Sequence, residues 1–492
     1  MSTMRLSKSK FVAGVQCLKR LYLQVHSPEL AAEPDGATEA IMQQGHDVGM
    51  LARKLFPGGV EVDCSRGLDH AIRATRELVA NRQIPAIFEG AFEDGGVLVR
   101  VDVLHRRADG RLRLIEVKSS ASLKEEHLDD VAIQYRVLSR CGLDVGSCCL
   151  AHVNRSFVFR GGSVDPWRFF RIRNVTRQVA RLQPKLTFQL RAAFTVLSMP
   201  KAPDIAPGKH CMSPVTCEFF DRCNPPLPDD HIGYLPRLHA SAEEALEELG
   251  VESIHDVPND FPLSESQRRA AACVQTGEPW FSPELSAELD KLEYPLRFVD
   301  FETINPCVPR FAGMRPYDQL PFQWSVHVQR QPGTAPEHQE FLATDASDPR
   351  REFISSLCHV LGESGSIVVY SSFESQRLSD LDSWFPEFAD RINAIQARLF
   401  DLLPVVREHT YHPAYAGSYS IKSVLPALVP EMTYEGMEVA NGQDAGLAWE
   451  SLVRGSLDAS ERDKIRKALL DYCGQDTLAM VRLLEVLRAR RW

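Results

Sequence analysis

Three places in the chain gather side chains that can do chemistry. In Ile115-Glu116-Val117-Lys118, Glu116 and Lys118 lie two apart and so point to one side of an extended strand, with Ile115 and Val117 toward the core; Asp102 lies on the preceding segment. Two carboxylates beside a lysine are the minimum for metal-assisted hydrolysis: the acids hold Mg²⁺ or Mn²⁺, and the lysine orients or activates the attacking water. Far downstream, Arg297-Phe298-Val299-Asp300-Phe301-Glu302-Thr303 sets two acids on one face of an apolar strand, where burial is costly unless cations neutralise them. Tyr472 and Asp476 stand at i and i+4 of a helical pattern that opens near Leu470, and Glu374 lies at a strand-to-helix junction in "SIVVYSSFESQRLSDL". The third place is "HCMSPVTCEFFDRC", with Cys211, Cys217 and Cys223 at an even spacing of six. Thiolates in such a set suit tetrahedral zinc, with His210 as one further ligand, or an iron-sulfur cluster; zinc ligands usually come in closer pairs than these. Each place also has a plainer reading: alternating charges on a solvated strand, capping and salt-bridge acids, or unrelated buried thiols.

These residues need elements to position them. "LVRVDVLHRRADGRLRLIEVKSS" alternates apolar and polar residues around "ADGR" and predicts a hairpin carrying Asp102 and Glu116. The helical pattern "HLDDVAIQYRVLSRCG" follows, and turns Gln134 and Tyr135 toward the same region. "LRFVDFETI", "FQWSVHVQR", "HQEFLATD" and "SIVVYSS" predict strands, with helical stretches after them. "CNPPLPDDHIGYLP" has four prolines and marks a boundary. The expected division is 1–224, a small helical connector over 225–292, and 293–492, with an α/β layered domain at each end.

The first set of residues resembles the PD-(D/E)xK nucleases in their RecB-like form, over roughly residues 5 to 224. The resemblance implies a restriction-endonuclease-like fold in which Asp102, Glu116, Lys118 and Gln134 form the active centre. RecB-like enzymes usually add a metal-binding histidine; Gly49 stands at its place here, and His46, one turn earlier in "Gln44-Gly45-His46-Asp47-Val48-Gly49", is the candidate substitute. In the iron-sulfur members, among them CRISPR-associated exonucleases and the helicase-nuclease AddB, one cysteine precedes the core and three follow it. Cys17 in "GVQCLKRLYL" matches the first and Cys211, Cys217 and Cys223 the others, so the resemblance implies a [4Fe-4S] cluster. The second set resembles the DEDDy 3′-5′ exonucleases of the RNase H-like, DnaQ-type superfamily. Asp300 and Glu302 match the first motif and Tyr472 with Asp476 the third, while "FDLLPVVR" and "GSYSIKSVLPAL" are similar to the connecting segment of proofreading domains. Glu374 departs from that pattern, which has Asp after Phe. Asp300, Glu302 and Asp476 would hold two Mg²⁺ or Mn²⁺ ions, with Tyr472 positioning water and Lys422 offering a basic group to a strand end. Together the halves resemble a bacterial family joining the two nuclease types.

Composition sets the outer bounds. With 44% hydrophobic and 25% charged residues the chain reads as a globular protein, and no run of eighteen apolar residues predicts a membrane span. An N-terminus without a signal-peptide pattern places the expectation in the cytoplasm, where twelve cysteines are free thiols or ligands rather than disulfides. The formal charge of -10 conceals an uneven split: residues 1–224 carry 32 basic and 24 acidic side chains, a balance of +8, leaving 24 basic and 42 acidic beyond them, a balance of -18. A basic first half can track a phosphate backbone, and an acidic second half needs metal ions to approach one; the plainer account is charge kept for solubility. No G-x-x-x-x-G-K-[ST] run is present, so no ATP-driven motor is expected. The expected function is a metal-dependent nuclease with two centres acting mainly on single-stranded DNA, including 3′-5′ removal of nucleotides. RNA as the polymer, a nucleic-acid-binding scaffold with silent centres, and a helicase or defence-system partner stand beside it.

Overall fold

Apolar alternation on either side of glycine turns builds the first sheet. In the computed structural model, which describes residues 5–34, 36–455 and 457–489, Gly95 and Gly96 both take positive φ and join β3 (Ala86–Asp94) to β4 (Val97–Arg106) through the two-residue turn that suits a twisted hairpin. Gly110, also at positive φ, closes the expected hairpin between β4 and β5 (Leu112–Lys118). The chain divides into two units, Met1–Pro226 with Asn305–Asp318, and Leu227–Ile304 with Gln319–Trp492.

The first unit's sheet has the order β2-β3-β4-β5-β6-β7, with β1 (Leu6–Ser7) pairing parallel to β4; β2 is Val60–Glu61, β6 Val145–Val153 and β7 Phe170–Asn174. β5 and β6 run parallel, and the helix between them completes a β-α-β crossover. Helices α1 (Lys8–Gln16), α2 (Leu18–His26), α3 (Gly36–Arg53), α4 (Leu68–Ala80), α5 (Glu126–Arg140), α6 (Pro166–Phe169), α7 (Thr176–Leu197) and α8 (Phe220–Cys223) complete it. Both faces of β5 are covered. Leu112 and Leu114 enter one core with Val131 and Val137 of α5, while Ile115 enters another with Val48 and Leu51 of α3. Ile115 thus faces apolar neighbours as expected, but Glu116 is also buried, on the face of Leu114.

The second unit centres on a five-stranded mixed sheet of order β11-β10-β9-β12-β13, with a two-stranded pair formed by β8 (Trp280–Phe281) and β14 (Thr410–Tyr411). β9 (Leu296–Ile304) is antiparallel to β10 (Leu320–Gln329) and parallel to β12 (Ile367–Val369); β11 (Glu337–Leu342) and β13 (Leu399–Asp401) lie at the edges. Its helices are α9 (Ala240–Glu248), α10 (Glu265–Thr276), α11 (Leu285–Leu289), α12 (Arg350–Leu361), α13 (Phe373–Trp384), α14 (Ala389–Gln396), α15 (Leu402–His409), α16 (Ile421–Leu428), α17 (Gly442–Val453) and α18 (Ala459–Ala489). The alternation of β9 sends Val299 and Phe301 to α12 and Phe298 to α18, which leaves Asp300 and Glu302 on the α18 face. The stretch expected as a connector shares one core with the last helix: Leu246, Ile254 and Ala270 lie in the cluster that holds Leu402 and Leu484. Among the described residues no helix is long and apolar enough to cross a membrane.

Candidate functional site

The first candidate centre forms where β4 and β5 part. Their pairing runs only from Val103↔Ile115 to Arg106↔Leu112, and beyond it the Asp102 carboxylate accepts the Val117 N–H at 2.7 Å, in place of a ladder carbonyl. Glu116 is 2% exposed, with Oε1 accepting from Lys8 Nζ at 2.8 Å and from Lys118 Nζ at 2.9 Å. Its Oε2 accepts from Gln134 Nε2 at 2.6 Å, and Lys118 is also paired with Asp130. Burial works against the charge on Glu116, but Lys118 and Lys8 outweigh it and hold the carboxyl well below the usual range. Asp102 moves the other way, pushed up to about 7 by burial and by the neighbouring Glu116. Buried Gln134 Oε1 has no hydrogen-bond partner among the described residues.

Asp102, Glu116, Lys118 and Gln134 therefore do come together. Tyr135 instead packs against the apolar core, since successive helical residues point about 100° apart. His46 is exposed on α3 and joins no set of three potential ligands among the described residues. Lys8 and Asp130 belong to the centre and carried no expectation. Asp130 had a readable signal, lying four residues before Gln134 on one helix face; Lys8 had none, because only the β1–β4 pairing brings it across.

The second candidate centre is more acidic. Asp300 and Glu302 of β9 and Asp476 of α18 bring ligand atoms within 4.8 Å of one another, the one such set of three among the described residues. A polar stripe on β10 seats α18: Gln323 Nε2 donates to the Leu469 carbonyl at 2.8 Å, and Thr477 Oγ1 lies 2.8 Å from both Ser325 Oγ and His327 Nδ1. Tyr472 and Asp476 lie deep within this helix rather than at its opening, because the apolar pattern continues upstream through buried Leu469. Glu374, on the first turn of α13, is 4% exposed, and its Oε2 has no partner.

Burial raises every acid here, and repulsion from neighbouring carboxylates adds to it at Asp300, Glu302 and Glu374. Glu302 is pushed up to about 8 and Glu374 to about 7, with burial the largest cause in each; Asp300 and Asp476 are raised as well. Tyr434 Oη donates to Asp476 Oδ1 at 2.6 Å, and Cys473 Sγ lies 3.4 Å from Asp300 Oδ2. Lys422 Nζ donates to the Ala440 carbonyl at 2.5 Å and lies 3.5 Å from Tyr472 Oη. Tyr434 and Cys473 carried no expectation; a tyrosine in the loop before α17 has no periodic signal. Four clustered acids with so little cationic compensation fit divalent ions.

The four cysteines of the sequence pattern line one pocket, together with His210 and Phe219. Cys17 lies at the junction of α1 and α2, and Gln16 Nε2 ties that junction to the carbonyls of His210 at 2.6 Å and Val215 at 2.8 Å. Cys217 Sγ accepts the Phe219 N–H at 3.4 Å, and none of the four is in a disulfide. Cys148 and Cys149 are buried in the sheet, as ordinary core residues.

Residues 297–420, which include Asp300, Glu302 and Glu374 but neither Tyr472 nor Asp476, match a family described as "Domain of unknown function (DUF2779)". No curated protein matches the chain. A solved structure titled "Crystal structure of SSO0001" aligns at 14% identity over 42% of this chain and 89% of that one, with a TM-score of 0.20, too low to carry an argument.

Proposed function

We propose that this chain is a metal-dependent nuclease with two active centres, joining a RecB-like PD-(D/E)xK unit with a [4Fe-4S] cluster to an RNase H-like DEDDy 3′-5′ exonuclease unit, and acting mainly on single-stranded DNA in the cytoplasm. The observation that carries it is the convergence of Asp300, Glu302 and Asp476 within 4.8 Å, with Asp300 half-buried and the other two buried. Mg²⁺ or Mn²⁺ bound there would stabilise the attacking and leaving oxygens of phosphodiester hydrolysis. Asp300, Glu302 and Asp476 would hold the ions, with Glu374 beside them as the fourth acid. Tyr472 would orient water, and Tyr434 would keep Asp476 in place. As an outer partner of one ligand, Tyr434 is a positioning residue: Tyr434→Phe is expected to weaken Mn²⁺ binding about 10- to 100-fold in a calorimetric titration.

Cys17, Cys211, Cys217 and Cys223 line one pocket, which supports a shared metal group, and the resemblance makes that group a cluster rather than a single zinc ion. Cys17, Cys211, Cys217 and Cys223 would hold the larger group, whose part is to join the two ends of the first unit.

The test is nucleotide release from end-labelled single- and double-stranded DNA with Mn²⁺, and from RNA in parallel. Asp300→Ala is expected to stop release from 3′ ends and Lys118→Ala to stop the remaining cleavage. A wild-type chain that binds DNA and releases nothing from either polymer would establish the scaffold reading instead. That reading is favoured at the first centre by one observation, the engagement of both Glu116 oxygens by protein donors.

A further inference from the structure

Glu116 is matched by cations before any ion arrives. Both of its oxygens are engaged, Oε1 by Lys8 at 2.8 Å and Lys118 at 2.9 Å, and Oε2 by Gln134 at 2.6 Å. Oε1 thus has both of its acceptor sites taken by ammonium groups while Oε2 keeps one, so a divalent ion that used Oε1 would have to displace Lys8 or Lys118. Gln134 is also bonded to the Asp130 carbonyl at 3.0 Å, and Lys118 is paired with the Asp130 carboxylate. Among the described residues, Lys8 has Glu116 as its one hydrogen-bond partner.

Lys8 is also out of place by the ordinary rules of helices. It is the first residue of α1, where the macrodipole disfavours a cation, and neither β1 nor the Ser7 cap, which accepts the Lys10 N–H at 3.3 Å, requires a lysine there. What holds its ammonium is the acid cluster: burial works against the charge, and Glu116, Asp102 and Asp130 outweigh it. Its side chain is 21% exposed, so it has a way out to solvent. At the second centre the nearest lysine, Lys422, lies against the hydroxyl of Tyr472 instead.

We infer that Lys8 is a resident cation of the first centre, occupying the place beside Oε1 of Glu116 that a divalent ion would take, so that metal binds at that oxygen as Lys8 withdraws. This rests on the proposed reading of the first centre as a metal site. Lys8 is then a positioning residue that sets metal affinity.

The test uses the full chain with the second centre silenced by Asp300→Asn, Glu302→Gln and Asp476→Asn, and titrates Mn²⁺ by its electron paramagnetic resonance signal. Lys8→Met and Lys8→Gln are expected to bind Mn²⁺ at least about tenfold more tightly than the chain with Lys8, and Lys8→Arg to bind as weakly as Lys8. Adding Glu116→Gln to Lys8→Met should abolish the gain. Equal or weaker binding by both neutral variants overturns the inference and leaves the metal reading intact. Absence of Mn²⁺ binding from every variant overturns both. Failure of both neutral variants to fold also overturns it, because a cation the fold requires is not one that a metal can displace.

Discussion

Asp300→Asn is expected to lower the rate of 3′-end release on the order of 10²- to 10³-fold, the scale of removing one preorganised charge-stabilising group, while making the metal-free protein more stable at pH 8. The two effects share a cause. Asp300 lies with Glu302, Glu374 and Asp476 in a buried cluster whose acids are all raised, Glu302 to about 8 and Glu374 to about 7. A raised carboxyl keeps its proton in the folded state after the unfolded chain has released it. Folded protein therefore holds more protons between about pH 4 and pH 8, and stability falls as pH rises through that window. Removing one acid relieves its neighbours, with a gain of about 2 kcal/mol at pH 8 and little at pH 4. Thermal melts across pH would show this, with wild type stabilised by Mn²⁺ at pH 8 but hardly at pH 5. A wild-type melting temperature that is flat from pH 5 to pH 8 without metal, and unmoved by Mn²⁺, would count against a metal centre here.

Cys17→Ser is expected to lose the iron and lower the melting temperature of the first unit by about 10 °C. Cys17 and Cys211 lie 194 residues apart, and a cross-link closing so long a loop is worth about 5 kcal/mol by chain entropy. Spread over a unit of this size, that is roughly 2 to 4 °C per kcal/mol. Loss of the cluster does not free the ends completely. Gln16 still bonds His210 and Val215, and Arg20 pairs with Glu218 at 2.8 Å, so the variant should melt early rather than fail to fold. Iron and zinc assays with the anaerobic absorption spectrum provide the first readout. Full iron content in Cys17→Ser would remove Cys17 from the ligand set, and stoichiometric zinc in place of iron would replace the cluster.

Local periodicity made half of each centre legible. Glu116 with Lys118, and Asp300 with Glu302, share a face because a strand repeats every two residues; Tyr472 with Asp476 share one because they are a helical turn apart. His46 satisfied no such constraint and lies exposed on α3. Partners reached through chain crossings were not legible: Tyr434 on Asp476 and Cys473 against Asp300 have neither a spacing nor a composition that points to them. Nor does sequence show a strand pair ending, which is what frees Asp102 to take the Val117 N–H.

By itself, then, the sequence determined which carboxylates and thiols are neighbours along a strand, a helix or a cysteine run, since those distances follow from backbone geometry alone. Tertiary structure decided their charge balance. At Glu116 it delivered Lys8 from 108 residues away, and at Asp300, Glu302 and Asp476 it delivered a tyrosine hydroxyl and a thiol, with Lys422 acting on Glu302 and Asp476. The same residue types thus end in opposite electrostatic states, one carboxylate held ionised by lysines and the other cluster raised toward protonation. Burial fixes the cost of each charge, and only the packing of distant segments supplies the counter-charge that offsets it.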